Sequence, residues 1–154
     1  MAVEAVPKGY HTITPYMTVR DAARAIEFYK QAFGAVEKGV SKGPDGKVMH
    51  AELRIGDSVI MLADEFPQFG SLSPQSTGGA GMGLHIYLED VDSAFDRAVK
   101  AGATVEMPVA DMFWGDRYGK LADPFGHKWS IGTHKRDVTM EEMEEAMKQL
   151  PKSA

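Results

Sequence analysis

The sequence predicts a single α+β domain of two paired βαβββ modules, forming a curved mixed sheet around a cavity. Three observations carry this. The first is an internal repeat: Thr14–Ala22 and Gly83–Val91 each run through a short alternating strand to an aspartate and then into an alanine-rich helix, and Tyr16/His85, Asp21/Asp90 and Ala25/Ala94 each stand 69 residues apart. Solenoid repeats are shorter, about 20–50 residues, so two halves folding around one shared site are expected. The second is period-two alternation in the segments after each helix, as half-buried strands require. The third is size: 154 residues, 44% of them hydrophobic, suffice for one core.

The elements follow in order, with residues 12–63 as the first module, 64–82 as a connection, 83–134 as the second module and 139–150 as a C-terminal helix. In the strand 13–19, Ile13, Met17 and Val19 alternate with Thr14, Tyr16 and Thr18. The spacing predicts a helix over about 21–33, with Asp21 as N-cap, Ala22, Ala25, Ile26, Tyr29 and Phe33 on its apolar face, and Gly34 as its stop. Strands are expected at 36–41, 48–55 and 58–63, separated by Gly43-Pro44-Asp45-Gly46 and Gly56-Asp57. The Gly-, Ser- and Pro-rich stretch 64–82, with Phe66 and Phe69, reads as a long functional or mobile connection and a candidate lid. The second module repeats the plan: strand 83–89, helix 91–101, strand 104–109, an aromatic loop 112–118, and two strands flanking Asp123-Pro124-Phe125-Gly126, a turn that Asp123 organises through its own side chain. Thr139 and Glu142 form a capping box for the last helix, whose stripe of Met140, Met143, Ala146, Met147 and Leu150 needs a surface to cover. Ile13, Met17, Val19, Leu84, Ile86 and Leu88 are expected against the helices, and Thr14, Tyr16, Thr18, Gly83, His85 and Tyr87 on the cavity side.

Composition excludes several functions. A net charge of −5 without a basic stripe argues against nucleic-acid binding. The absence of cysteine removes disulfides, thiolate catalysis and cysteine-based zinc sites, and fits a cytoplasmic protein. No apolar run reaches the roughly 20 residues of a membrane span, and residues 1–9, with Glu4 and Pro7, do not form a signal peptide. The glycine run 78–83 precedes a strand and not a helix, so it lacks the helix N-terminus of a phosphate-binding loop. Ten methionines suit adaptable core filling or a plastic pocket.

Two residue sets could carry function. Tyr16, His85, Tyr87, Trp114 and Arg117 offer flat apolar surface and one orienting charge for a small, largely apolar or aromatic ligand. His50 and Glu52, two apart on one strand and so on one face, could with His85 form an acid–base set.

Several motifs in order resemble the vicinal oxygen chelate superfamily of glyoxalases, extradiol dioxygenases, and fosfomycin and bleomycin resistance proteins: Val19-Arg20-Asp21 through Ala25-Ile26-Glu27-Phe28-Tyr29, Phe33-Gly34-Ala35, Asp90-Val91-Asp92, and Asp123-Pro124-Phe125-Gly126-His127-Lys128-Trp129. Trp114-Gly115-Asp116-Arg117-Tyr118 and the Asp-Pro-Phe-Gly-His turn are most similar to the PhnB-like branch. The resemblance implies four metal-ligand positions, which fall here on Thr14, Met61, Gly83 and Ser130; none is a histidine or carboxylate, so no standard metal site and no cofactor are expected. His85 would enter the ligand set only if its strand were shifted by two residues. The resemblance implies a homodimer. It also implies metal-independent ligand binding in the manner of bleomycin-sequestering relatives, with a lyase, isomerase or dioxygenase-like enzyme as the alternative.

Overall fold

The computed structural model describes residues 2–152. The first module comprises β1 (Tyr16–Val19), α1 (Ala22–Phe33), β2 (Val36–Lys42), β3 (Val48–Ile55) and β4 (Ser58–Asp64). After a 3-10 turn at Pro67–Phe69 and the short α2 (Pro74–Thr77), the second module repeats with β5 (Gly83–Tyr87), α3 (Val91–Ala101), β6 (Thr104–Asp111), β7 (Asp116–Ala122) and β8 (Lys128–His134); α4 (Met140–Lys148) ends the fold. The sheets have equivalent orders, β1-β4-β3-β2 and β5-β8-β7-β6, with β1 parallel to β4 and β5 parallel to β8.

The helix starts show why the repeat folds twice in the same way. Asp21 accepts from the Arg24 amide and Asp90 from the Ser93 amide, each at 3.1 Å, satisfying a donor that a helix N-terminus otherwise leaves unpaired. One residue further, the Ala22 amide donates to Asp64 (2.8 Å) and the Val91 amide to Thr133 (3.0 Å). Asp64 and Thr133 are themselves 69 residues apart, so each module clamps its helix to the end of its last strand at the same place. Gly34 closes α1 at φ 67, a left-handed conformation that suits glycine. Gly119 is needed for contact: a Cβ there would lie 2.7 Å from the Phe95 ring of α3.

The two sheets remain separate, and both helices lie in the space between them. Residues of α1 and α3 and the helix-bearing faces of both sheets form one buried cluster, including Tyr29, Phe33, Leu53, Leu62, Phe95, Leu121, Trp129 and Ile131. Phe33 lies against Trp129 with ring centroids 4.6 Å apart, and Phe28 and Tyr29 meet Phe125. The bare faces of the sheets, expected to line a cavity, are turned away from this core. Met17 and Val19 are buried as expected, but Ile13 precedes β1 and is 84% exposed.

Asp123 joins the modules. Its carboxylate, 6% exposed, accepts from the Phe125 and His127 amides at 2.9 Å each, from Tyr29 Oη of α1 at 2.6 Å and from Trp129 Nε1 at 2.8 Å. It organises its turn as expected and also ties that turn to the other module. Burial, and then the Asp123 charge, hold the Tyr29 hydroxyl well above its ordinary pKa, so it remains a donor. The connection is built rather than loose: Glu65 accepts from the Ser73 amide and the Ser76 hydroxyl, with Arg20 at 3.5 Å. Hydrogen bonds from Ser73 and Ser76 lower its pKa to about 2. Phe66 pairs with Ser71, whereas Phe69 is exposed.

Asp123→Ala would leave two buried side-chain donors and two amides unpaired, so a loss of about 3 kcal/mol or more is expected in urea denaturation, and about 1.5–3 kcal/mol for Tyr29→Phe. Both variants within about 0.5 kcal/mol of the parent, the range of an ordinary surface substitution, would contradict the inter-module role.

Candidate functional site

On the bare face of the second sheet, alternation along β5, β7 and β8 brings His85, Tyr87, Asp116, Tyr118, Lys120 and Ser130 to one side. Asp116 organises it: only 4% exposed, it accepts from Tyr87 Oη (3.2 Å), Trp114 Nε1 (3.1 Å) and His134 Nδ1 (2.7 Å). The other nitrogen of His134 bonds Asp137 at 2.8 Å, and its bonds to Asp116 and then Asp137 raise its pKa, favouring the doubly donating form. The rings of Tyr87 and Trp114 are thus fixed by their polar ends, leaving their apolar bodies free. His85 lies 4.4 Å from Tyr87 edge-on and 5.7 Å from Tyr118 in a stacked arrangement, and Trp114 meets Tyr118 at 5.3 Å. Four rings therefore line one wall, a surface suited to a flat, weakly polar molecule. His85 Nδ1 is 2.7 Å from Ser130 Oγ, and burial lowers the histidine pKa against the opposing pull of Asp116.

The bare face of the first sheet carries a hydrogen-bonded chain. Glu52 takes the Nε2 side of His50 at 3.1 Å, which leaves Nδ1 to accept from Tyr16 Oη at 2.9 Å. Tyr10 Oη donates to the other Glu52 oxygen, and Lys38 Nζ donates to Tyr10 Oη at 2.9 Å. Hydrogen bonds from Tyr10 and then His50 lower the Glu52 pKa. Partial burial, then the Glu52 charge, raise that of Tyr16.

Of the expected ligand-binding residues, the structure brings His85, Tyr87 and Trp114 together. Tyr16 lies on the other sheet. Arg117 projects to the α3 side, where it bonds Asp92 through Nε (2.7 Å) and Nη2 (2.8 Å) and Asp111 through Nη1 (3.1 Å); it is one residue out of phase with Asp116 and Tyr118. Of the acid–base set, His50 and Glu52 meet, while His85 is held by Ser130 in the other module. Tyr118 belongs to β7, not to the aromatic loop. Tyr10 and Lys38 are not among the sequence candidates; Ser130 is there only as a resemblance-derived metal position and Asp116 only as part of the aromatic loop. Only Asp116 and Ser130 had a signal, the period-two phase they share with Tyr118 and His85.

The resemblance-derived metal positions do not fit a metal. The register pairs Met61 with Tyr16 and Ser130 with His85, so the facing residues are two positions beyond Thr14 and Gly83. Even with that shift, the set of Tyr16, Met61, His85 and Ser130 offers one imidazole and no carboxylate. No cluster of three His, Asp, Glu or Cys side chains with metal-site geometry occurs among the described residues.

A crevice of about 830 Å³ separates the lead-in to β1 and the β3–β4 turn from β5, whose outer edge is unpaired. Thr14, His85 and Tyr87 line it as the alternation anticipates; Leu84 and Ile86 reach its wall while packing against the core cluster as expected, and Ile13, expected against the helices, lines it as well. No helix among the described residues is long and apolar enough to cross a membrane.

The family model of the glyoxalase/bleomycin resistance protein/dioxygenase superfamily matches residues 10–131. An uncharacterized protein of Mycobacterium bovis, Mb0911c, is 48% identical over 150 residues, covering 96% of each chain. The Arabidopsis thaliana protein At5g48480 is 34% identical over 130 residues, covering 78% of this chain and 76% of its own. Its crystal structure superposes with TM-score 0.65 at 29% identity, over 79% of this chain and 98% of that one. The PhnB protein of Bacillus cereus shares the fold at TM-score 0.62 and 19% identity, over 80% and 99%. With the repeat, the two equivalent sheets and this match over most of its length, the chain belongs to the glyoxalase/bleomycin resistance protein/dioxygenase superfamily.

Proposed function

We propose that the protein binds a small, flat, largely apolar or aromatic molecule on the aromatic face of the second sheet, without a metal ion. The observation that carries this reading is Asp116, which spends its buried carboxylate on fixing Tyr87 and Trp114 and so removes much of the ordering cost of binding. The acid–base alternative has less support: both Glu52 oxygens are engaged and its pKa is lowered, which makes it a weak base near neutral pH.

A second copy of the chain completes the site. The bare sheet faces, the outer edges of β1 and β5 and the crevice beside Ile13 are all open. Among the described residues α4 lies against no other element, and Met140, Met147 and Leu150 are exposed. Exposed apolar surface and unpaired strand edges of this kind suit a self-complementary interface.

Titration with the fluorescent aromatic anion 8-anilinonaphthalene-1-sulfonate is expected to saturate and to quench tryptophan emission. Tyr87→Ala and Trp114→Ala should each weaken binding about tenfold, equivalent to about 1.4 kcal/mol. Unchanged affinity in both would overturn the assignment. In analytical ultracentrifugation the parent should sediment as a dimer and an Ile13→Asp/Leu84→Asp variant as a monomer; a monomeric parent would refute the shared site.

A further inference from the structure

The bare face of the second sheet holds a serine and a histidine that the binding reading does not use as a pair. Ser130 Oγ lies 2.7 Å from His85 Nδ1, and Cα register puts Ser130 opposite both His85 on β5 and Lys120 on β7. Ser130 lines a crevice of about 360 Å³ with Gly81, Met82, Glu106, Lys120 and Lys128, and His85 approaches Ser130 from the neighbouring larger crevice. Lys128 is paired with Glu106 at 2.7 Å, whereas Lys120 has no ion pair among the described residues. Among the described residues, the Gly81 and Met82 amides on the crevice rim donate to no backbone carbonyl.

We propose that Ser130 and His85 form a nucleophile–base pair that accepts an acyl group from an activated ester or thioester, with Lys120 and the rim amides facing the developing oxyanion. A serine hydroxyl is a weak nucleophile unless a base within hydrogen-bond reach takes its proton, and 2.7 Å is within that reach. Burial lowers the His85 pKa, which favours its neutral, proton-accepting form. As Ser130 Oγ bonds to the carbonyl carbon, its proton passes to His85 Nδ1. The bond from that carbon to the leaving oxygen or sulfur then breaks, and His85 returns the proton to the leaving group. Water repeats the sequence on the acyl-serine, releasing a carboxylic acid and restoring Ser130 Oγ–H. The cation and amides provide the kind of fixed positive charge that stabilises a tetrahedral oxyanion.

The test is labelling of the intact protein with an alkyl fluorophosphonate, which takes the same Oγ attack with loss of fluoride, followed by peptide mass mapping. A single adduct at Ser130 is expected, absent in Ser130→Ala. His85→Phe, which keeps a ring against Tyr118, should slow labelling about 100-fold, the scale of a lost general base. The parent rate should rise with pH through a midpoint below the ordinary histidine value, and that step should vanish in His85→Phe. No adduct in the parent protein, an adduct elsewhere, or an unchanged rate in His85→Phe would overturn the proposal. Because the label reads the Ser130 hydroxyl and not occupancy of the aromatic wall, its failure would leave the binding reading standing.

Discussion

The four hydrogen bonds converging on Asp123 hold the two modules in one arrangement. They come from its own turn, from β8 and from α1 of the other module. A buried carboxylate is costly unless its lone pairs are occupied, and satisfying this one requires Tyr29 and Trp129 to meet. That contact brings α1 against the helix-bearing face of the second sheet, and the aromatic cluster of Phe28, Tyr29, Phe33, Phe125 and Trp129 closes around it. With both helices committed to this core, the bare faces are left on the outside.

Those faces have diverged from a common plan. Tyr16 and His85 are equivalent, as are Met61 and Ser130. On the first sheet this layout carries Tyr16, His50, Glu52, Tyr10 and Lys38, a polar chain with few free acceptors. On the second it carries a wall of rings held from behind by Asp116. The positions that resemblance assigns to a metal hold hydroxyl, thioether and glycine here, none of them a histidine or carboxylate, and the proposed functions rest instead on the aromatic surface and on the Ser130–His85 pair.

Much of this was legible in the sequence. The 69-residue offset fixed both modules, the caps at Asp21, Asp90 and Thr139 agree with the structure, and the capping box with Glu142 is formed. These are local signals, written within a few residues of where they act. Two kinds of information were not local. Ile13 keeps the alternation of β1 but precedes the paired strand, and nothing in the pattern marks where pairing with β4 begins. Arg117 is close to Trp114 in sequence, yet strand phase sends it to Asp92 on the helix side. The packing of the modules through their helices depends on Tyr29 and Asp123, 94 residues apart, and no periodicity connects them. Composition reads the connection 64–82 as functional or mobile, and does not reveal the order that Glu65 gives it by reaching Ser73 and Ser76.

The proposed function is ligand binding on the aromatic face without a metal ion. It is tested most directly by the metal content of untagged protein purified without chelator, followed by thermal melts with added divalent ions. The account predicts substoichiometric metal and an unchanged melting temperature. One metal ion per chain, with the melting temperature restored on adding the ion back after chelation, would contradict it.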